Sequence, residues 1–361
     1  MTNGTAQDQA LQNGGSPKLH NAMWPGLVGK GPDSEPPISL ERMLELTAKA
    51  RVGERRFDGV DLFMAEPHTP SGASRDELER LADKLGELDL VVGSCVAPVW
   101  EPVGGGSAMG SGEERRKFLA RVRESCEAMA TLRELGVRSY GVIRIDSAAG
   151  VADWAQDPAG NTRRIAETWR QAADIAEGFG ERLAAEGEIC WGGMHSWRHM
   201  LDLLEETGRP DTVGFQADMA HTLLYTLSPN APEHALVDRA AALDDAAALD
   251  EAYGKVADAL RPWTIDFHVA QNDATIKGSG SHDKTGKHCT ADDADGKLDI
   301  ARHAGLWLRG DDGEPTGAVR HICWDGCMFP NATLEDQATW DNILAAMVAV
   351  QEAHGRAGGS A

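Results

Sequence analysis

The chain has 361 residues, with 35 Lys and Arg against 57 Asp and Glu, so its formal net charge is -22 at pH 7. Such an acidic surface repels a phosphate backbone and an anionic membrane alike, so we expect neither nucleic acid nor a membrane as a partner. No apolar run approaches the roughly 20 residues of a membrane span, and the amino terminus lacks the features of a signal peptide, so a cytoplasmic protein with reduced cysteines is expected.

Short apolar or β-branched runs alternate with longer helical patterns along the first half of the chain. Residues 1–17 offer almost nothing to bury and are predicted to form a disordered tail, as are residues 356–361 at the other end. The first four predicted strands are HNAMW (20–24), FDGVDLFM (57–64), LVVGSCVAPVW (90–100) and SYGVIRI (139–145). The helical patterns that follow them begin near Ser39, cover SRDELERLADKLGEL, and run from 112 to 135 and from 161 to 179.

The second half of the chain continues the same alternation. The next predicted strands are RLAAEGEIC, TVGFQAD, PWTIDFHVA and AVRHICWD, and helices are predicted at 197–206, within 233–260 and at 334–353. Eight strands alternating with helices predict a single-domain α/β fold, a (β/α)8 TIM barrel over residues 18–355. A doubly wound open sheet also alternates, but it normally carries a Gly-rich GxGxxG turn, which the sequence lacks.

Two segments between the predicted elements have no hydrophobic periodicity. The run GGGSAMGSG (104–112) is predicted to be a flexible loop, with a lid over the active site as the alternative. The run after strand 7, residues 272–297, is far longer than an ordinary barrel loop. Because loops that follow strands lie on the catalytic face, we expect this one to cover substrate or dock a partner. His282 and His288 within it have no ligand spacing and are predicted to be exposed.

Acidic and imidazole side chains fall near the carboxyl ends of the last four predicted strands. They are Glu186, Asp218, His268 and Asp325. In a closed barrel these strand ends meet at one mouth, and a carboxylate inside an apolar strand is costly without a partner. Three carboxylates and one imidazole form an oxygen-rich site that suits Mn²⁺, Mg²⁺ or Co²⁺ better than a thiolate-type zinc site does. The sequence therefore predicts a metalloenzyme.

Other polar residues near these strand ends are candidates for proton transfer and substrate binding. Glu186 and Glu188 are two residues apart in a strand and so point to the same side, which leaves open which of them is the ligand. Glu188 and His195 are the candidate general bases. Arg144, at the end of strand 4, is placed to bind a sugar oxygen or to pair with a carboxylate. Trp191 and Trp324 neighbour the predicted ligands and could stack on a sugar ring or an aromatic aglycone, but their strand phase favours packing in the core.

The segments LAAEGE, GFQADMAHT, DFHVAQND and GKLDI resemble the xylose isomerase-like superfamily of sugar isomerases and epimerases, including the tagatose 3-epimerase and hydroxypyruvate isomerase types. The most specific piece is the spacing of Asp218 and His221, followed about fifty residues later by a strand-7 histidine. The resemblance implies one divalent ion, often Mn²⁺, held by Glu186, Asp218, His268 and a strand-8 carboxylate, with His221 contacting substrate. That carboxylate is usually Glu in the epimerases and is Asp325 here.

Two further segments, EGEICWGGMHSW and HICWDGCMFPNATLEDQATW, resemble the large subunits of C-glycoside deglycosidases. Relatives of that kind act on sugars already oxidised to a 3-keto form and cleave them by β-elimination. The resemblance implies a metal-dependent lyase for a 3-oxo-glycoside, an oligomeric assembly and a small second subunit. An isomerase or epimerase of free ketoses is the alternative enzyme, and a barrel kept as a binding or scaffold subunit is the non-enzymatic one.

Overall fold

In the computed structural model, which describes residues 16–278 and 288–355, eight parallel strands close into one barrel. The strands are β1 (Lys18–Ala22), β2 (Gly59–Phe63), β3 (Val91–Val96), β4 (Ile143–Ile145), β5 (Leu183–Glu186), β6 (Val213–Asp218), β7 (Thr264–Val269) and β8 (His321–Trp324). Each strand pairs with its sequence neighbours, and β1 pairs with β8 to close the barrel. The predicted barrel is confirmed, whereas the two predicted tails lie almost wholly outside the described residues.

One long helix follows each strand and covers the outside of the barrel. These helices are α1 (Leu40–Lys49), α2 (Arg75–Leu88), α3 (Glu113–Glu134), α4 (Pro158–Gly178), α5 (Trp197–Thr207), α6 (Ala246–Leu260), α7 (Ile300–Leu308) and α8 (Gln337–His354). Further helices are Val151–Trp154, Met219–Leu227, Arg239–Asp244 and Asn331–Leu334. Of the eight helices α1 to α8, only α7 lies outside the helical patterns predicted from the sequence. Within residues 16–278 and 288–355, no helix has the length and apolarity that crossing a membrane requires.

Side-chain caps fix where several of these helices begin. Ser39 accepts a hydrogen bond from the backbone N–H of Arg42, as the sequence pattern predicts for the start of α1. Ser74 and Glu77 form a reciprocal capping box at α2, which satisfies two backbone donors that a helix start leaves open. Each cap sets the residue at which its helix begins and therefore where the preceding loop ends. These loops follow the strands and form the mouth of the barrel.

The strand register brings the predicted ligands to a single mouth of the barrel. Glu186 and Asp218 are the last residues of β5 and β6, and Asp325 directly follows β8. Asp218 is paired in register with His268 of β7. Because all eight strands are parallel, their carboxyl ends share one rim, where active sites of this fold lie. All four side chains are buried at this rim.

Part of the Gly-rich segment 104–112 is packed against neighbouring segments. The backbone N–H of Ala108 donates to the carbonyl of Ser147 at 2.9 Å, and Ala108 is fully buried. A Cβ atom on Gly105 or on Gly106 would lie 2.0 Å from a backbone oxygen of an adjacent segment. The glycines therefore permit close backbone packing, which a local composition argument cannot distinguish from flexibility.

The long connection after β7 returns to the barrel mouth. Gln271–Asn272 pairs antiparallel with His288–Cys289, so the segment between them is closed by a short ladder. The prediction that His288 is exposed is wrong, because its ring is buried. Its backbone is held by this ladder, a long-range contact that has no local sequence pattern. His282 lies outside the described residues.

A buried ion pair links the segment before β4 to the segment before β5, away from the carboxyl ends of these strands. Arg138 donates to both carboxylate oxygens of Glu181, at 2.7 and 2.9 Å, and both side chains are 1% exposed. Removing one partner of such a pair leaves a buried charge unpaired. We therefore expect Glu181→Gln to lower the free energy of unfolding by about 3 kcal/mol in urea denaturation.

The matched control for this prediction is Glu134→Gln. Glu134 pairs with Arg75, and these side chains are 66% and 58% exposed, so its loss should change the free energy of unfolding by under about 1 kcal/mol. Equal effects of the two substitutions would show that burial does not determine the contribution of these pairs.

Candidate metal centre

Four side chains meet inside the carboxyl mouth of the barrel. One potential ligand atom from each lies within 4.8 Å of the others, and the residues are Glu186, Asp218, His268 and Asp325. The Nδ1 atom of His268 lies 3.7 Å from Glu186 Oε1 and 3.7 Å from Asp218 Oδ2. It lies 3.9 Å from Asp325 Oδ2. The structure thus brings together all four of the ligands predicted from the sequence.

Three of these facing atoms have no hydrogen-bond partner among residues 16–278 and 288–355. They are Glu186 Oε1, Asp218 Oδ2 and His268 Nδ1. Buried polar atoms normally have partners, and an unsatisfied one is costly. Three such atoms that point at one another fit a divalent cation as a shared partner, and the mixture of carboxylate and imidazole donors suits Mn²⁺ or Mg²⁺ more than a thiolate-preferring ion.

Two of the carboxylates are oriented through the oxygen that does not face the cluster centre. Asp218 Oδ1 accepts from the backbone N–H groups of Ala220 and His221, at 2.8 and 2.9 Å, and so caps the helix Met219–Leu227. Asp325 Oδ1 accepts from Trp24 Nε1 at 3.0 Å and from the N–H of Cys327 at 2.8 Å. This support around the ligands fixes their geometry before any ion binds.

Arg144 joins the two glutamates that follow one another at the end of β5. Its guanidinium forms an ion pair with Glu186 Oε2, and a second one with Glu188 Oε1 at 3.3 Å. Glu188 also accepts from Cys190 Sγ at 3.1 Å. Both glutamates reach the site because the chain turns after β5, where the N–H of Glu188 donates to Glu186 O. Of the alternatives for Arg144, pairing with carboxylates is the one observed.

Two histidines complete the ring of polar groups. His221 Nε2 lies 4.0 Å from Glu186 Oε1 and 3.9 Å from Glu188 Oε1. His288 Nε2 lies 3.8 Å from Asp218 Oδ1, and its Nδ1 hydrogen-bonds with the carbonyl of Asp325 at 3.1 Å. His221 was predicted at the site. His288 was missed, because its loop shows no periodicity that would place it near any strand end.

The site concentrates negative charge where water is excluded. Burial raises the pKa of Asp218 to about 7, and Asp325 adds to that effect while His288 opposes it. Burial lowers the pKa of His268 to about 4, so its ring is neutral and offers a lone pair. Burial also acts to lower the pKa of His288, but Asp325 and Asp218 outweigh it and raise that pKa to about 9. Crowded carboxylates of this kind are stabilised by a bound cation.

A cavity of about 390 Å³ opens beside the cluster. Arg144, Glu188 and Asp325 form part of its polar lining, and aromatic side chains form another part of its wall: Trp24, Phe63, Trp100 and Trp191. The rings of Trp100 and Trp191 are stacked, with centroids 6.2 Å apart. Trp191, expected in the core, is half-buried and lines this cavity. A molecule bound there would meet both polar groups and flat apolar surfaces.

His195, the second base predicted from the sequence, lies at the start of α5. Its ring packs edge-on against Trp154, with centroids 4.9 Å apart, and lies 4.3 Å from the ring of His199. The described residues that line the cavity do not include it. The structure therefore brings Glu188 and His221 to the four-residue cluster and places His195 in a different histidine group.

Another group of possible ligands lies deeper in the barrel. His20 Nδ1 and His321 Nε2 each lie 2.9 Å from a different oxygen of Asp61, and His20 Nε2 hydrogen-bonds with Tyr140. Although burial acts to raise the pKa of Asp61, the two imidazoles hold it below its usual range. These donors are already satisfied by one another, which indicates a hydrogen-bonded element of the barrel interior.

The chain matches the sequence model of one protein family. The sequence model of a family described as "Xylose isomerase-like TIM barrel" matches residues 48–289. The chain belongs to this family. The match covers β2 to β7 and therefore includes Glu186, Asp218 and His268. It confirms the superfamily that the sequence segments resemble. A comparison with curated proteins gave no match.

Three solved structures share the fold over 90 to 94% of this chain. A xylose isomerase-like TIM barrel protein from Mycobacterium smegmatis in complex with magnesium is 13% identical, with a TM-score of 0.58 over 94% of this chain and 97% of that one. A D-psicose 3-epimerase with D-tagatose from Clostridium cellulolyticum H10 is 13% identical, with a TM-score of 0.56 over 93% and 98%. A 3-keto-D-glucoside 4-epimerase from E. coli is 14% identical, with a TM-score of 0.52 over 90% and 98%.

Proposed function

We propose that this xylose isomerase-like barrel is a metal-dependent enzyme that enolises a keto sugar and cleaves a 3-oxo-glycoside by β-elimination. The observation that carries the proposal is the set of three buried, facing donor atoms without hydrogen-bond partners, Glu186 Oε1, Asp218 Oδ2 and His268 Nδ1. With Asp325 they would hold one divalent ion, Mn²⁺ first and Mg²⁺, Co²⁺ or Zn²⁺ as alternatives. Such an ion supplies Lewis-acid polarisation of the ketone.

Glu188 is the proposed general base. Its carboxylate borders the cavity beside the cluster, and Arg144 fixes its Oε1 atom through the 3.3 Å ion pair. Glu188 Oε1 would accept the proton from the carbon next to the ketone. His221, 3.9 Å from that oxygen, would donate a hydrogen bond to a substrate oxygen. Glu188 is therefore the proposed base that removes the proton, and His195 has no role in this proposed reaction.

In a 3-oxo-glycoside the acidic proton is on C2 and the aglycone is attached to C1. Transfer of the C2 proton to Glu188 leaves an electron pair that forms the C1–C2 double bond. The bond from C1 to the aglycone then breaks, and the aglycone departs with its bonding electrons and takes up a proton. The products are the free aglycone and an unsaturated keto sugar. No oxidant or reductant is consumed in this step.

Two features support elimination over epimerisation, in which a proton returns to the same carbon. Epimerisation needs a second group that delivers a proton to the opposite face of the same carbon, and the sugar epimerases that this chain resembles have Glu at the strand-8 position. Here Asp325 occupies it, and its Oδ1 is held by Trp24 and Cys327. The aromatic wall that includes Trp100 and Trp191 offers flat apolar surface for an aglycone. The expected small second subunit and the oligomeric assembly remain part of this proposal.

The alternative is an isomerase or epimerase of keto sugars, which the likeness in fold to sugar epimerases supports. Incubation of the Mn²⁺-loaded enzyme with a 3-keto-glucoside in D₂O distinguishes the two reactions. Elimination releases the aglycone and an unsaturated sugar, whereas epimerisation yields saturated sugars that carry deuterium at the exchanged carbon. If deuterated epimers form and no aglycone is released, the protein is an epimerase and not a lyase.

Metal dependence is tested in the same assay. Chelation should abolish turnover and added Mn²⁺ should restore it, because the substrate ketone loses and regains its Lewis acid. Full turnover by the metal-free protein would contradict both enzymatic proposals.

His288 is expected to support metal binding from the long loop. Its ring contacts Asp218 and Asp325, and partners of this kind typically contribute 10- to 100-fold to metal affinity. We therefore expect His288→Asn to weaken Mn²⁺ binding by about 10- to 100-fold in isothermal titration. Asp292→Asn, an exposed acid in the same loop, is the matched control and should bind as the wild type does. If the His288 variant binds Mn²⁺ with unchanged affinity, His288 does not support metal binding.

A further inference from the structure

A second group of histidines lies at the start of α5 and is formed by two separate segments. His195 and His199 flank the first turn of the helix, and His234 ends the short 3-10 helix Pro232–His234. The rings of His195 and His199 have centroids 4.3 Å apart, and those of His199 and His234 are 4.5 Å apart. Three imidazoles thus adjoin at a place that the proposed reaction does not use.

A serine fixes the orientation of two of these rings. Ser196 Oγ lies 3.1 Å from His199 Nδ1 and 2.8 Å from His234 Nδ1. The hydroxyl oxygen has two lone pairs and can accept from both rings when each carries its proton on Nδ1. The Nδ1 atoms are therefore engaged, and the Nε2 atoms are the nitrogens left to bind a ligand. Trp197 Nε1 donates to the carbonyl of His234 at 2.9 Å and holds the second segment against the helix.

The cluster also contains a carboxylate and an unsatisfied buried nitrogen. Potential ligand atoms of His199, Glu233 and His234 all lie within 4.8 Å of one another. His195 is 2% exposed, and its Nδ1 has no hydrogen-bond partner within the described part of the chain. A buried ring nitrogen without a partner is costly, and the ring of His195 lies 4.3 Å from the ring of His199, a member of this group.

Burial affects the pKa of two rings in this cluster. Burial lowers the pKa of His195 to about 3, and the neighbouring His199 and His234 add to the effect. Burial, with a contribution from His234, lowers the pKa of His199 to about 4.

We propose that His199, His234 and Glu233, with His195 as a fourth donor, form a zinc site separate from the candidate metal centre. Imidazoles with one carboxylate are typical zinc ligands, whereas Mg²⁺ and Ca²⁺ prefer all-oxygen sets. The ion would tie the segment after the helix Met219–Leu227 to the start of α5. Because Glu186, Asp218 and Asp325 are oxygen donors, the two sites differ in the metals they favour.

The test measures Zn²⁺ content and affinity of the full chain after its first site is loaded with Mn²⁺. We expect the double variant His199→Gln/His234→Gln to weaken Zn²⁺ binding by more than about 10-fold, since even residues behind a ligand contribute that much. His354→Gln, a half-buried histidine elsewhere, is the matched control and should bind as the wild type does. Asp218→Asn should also retain the zinc, which separates this site from the candidate metal centre.

A crystal soaked with Zn²⁺ gives a second readout that does not depend on how well a variant folds. An anomalous peak between His199 and His234 of the wild-type chain would support the site. The proposal is overturned if the wild-type chain shows no peak there, or if the double variant binds Zn²⁺ as tightly as the wild type does. Neither outcome bears on the sugar chemistry, because Glu188 and its neighbours are untouched.

Discussion

Replacing His268 with alanine is expected to remove both the bound metal and the turnover of the enzyme. His268 Nδ1 is the atom around which the three carboxylates gather, at 3.7 to 3.9 Å, so its loss removes the nitrogen ligand from the centre of the set. A Lewis acid contributes several kcal/mol to such a reaction, so kcat/KM should fall by about 10³-fold or more. Metal analysis of the purified variant, together with the aglycone-release assay, measures both effects.

The matched control for this substitution is His303→Ala. His303 is also buried but lies on α7, where it hydrogen-bonds with Asp250 at 2.9 Å and with the carbonyl of Asp299 at 2.8 Å. Its loss should reduce stability while leaving metal content and kcat/KM close to those of the wild type. A His268 variant that keeps its metal and its turnover would mean that His268 is not a ligand.

Glu188→Gln should lower kcat by about 10²- to 10⁴-fold, the usual contribution of a general base. The amide cannot accept the C2 proton, yet it has nearly the same shape and still meets Arg144. Because the four-residue cluster does not contain Glu188, the variant should retain its Mn²⁺. Steady-state kinetics and metal analysis of the same preparation therefore separate loss of the base from loss of the metal.

Glu101→Gln is the control for this second substitution. Glu101 is exposed in the short 3-10 helix Glu101–Val103, next to the cavity residue Trp100, and its charge should not affect kcat. A Glu188 variant with more than about a tenth of the wild-type kcat would assign the proton transfer to another group. A Glu188 variant that loses its metal would instead identify Glu188 as a ligand.

The sequence was sufficient to predict the barrel and the cluster for the same physical reason. Alternating strands and helices predict a parallel sheet, and in a closed parallel barrel the carboxyl ends of all strands meet at one mouth. Glu186, Asp218 and Asp325 stand at or just after strand ends, so their meeting point follows from topology without any knowledge of distances. Neither the choice of Glu186 over Glu188 for the cluster nor the pairing of Arg144 with both could be obtained in this way.

Features that depend on contacts between distant segments were missed or misread. His288 reaches the site because its loop pairs with Gln271–Asn272, and no local periodicity records that ladder. The Gly-rich segment 104–112 has the composition of a flexible loop, but close backbone packing also requires glycine. His195 lies near the site in sequence, yet α5 and Trp154 place it in another cluster. The composition of a segment is compatible with several conformations, and contacts with distant segments determine which of them the segment adopts.

The shape of the site also limits the substrate that the enzyme would accept. Trp24 donates to Asp325 and its ring lies 5.2 Å from the ring of His268, so the aromatic wall begins directly beside the cluster. Trp100 and Phe63 extend this wall, with ring centroids 5.6 Å apart. Under the proposed function, this apolar surface is where a planar aglycone would bind.

The most direct test of the metal centre is anomalous diffraction from a wild-type crystal soaked with Mn²⁺ and recorded near the manganese absorption edge. A single strong peak bonded to Glu186 Oε1, Asp218 Oδ2, His268 Nδ1 and Asp325 Oδ2 is the result we predict. No peak among these four atoms, or a peak bonded to other side chains, would contradict the metal centre and with it the proposed chemistry.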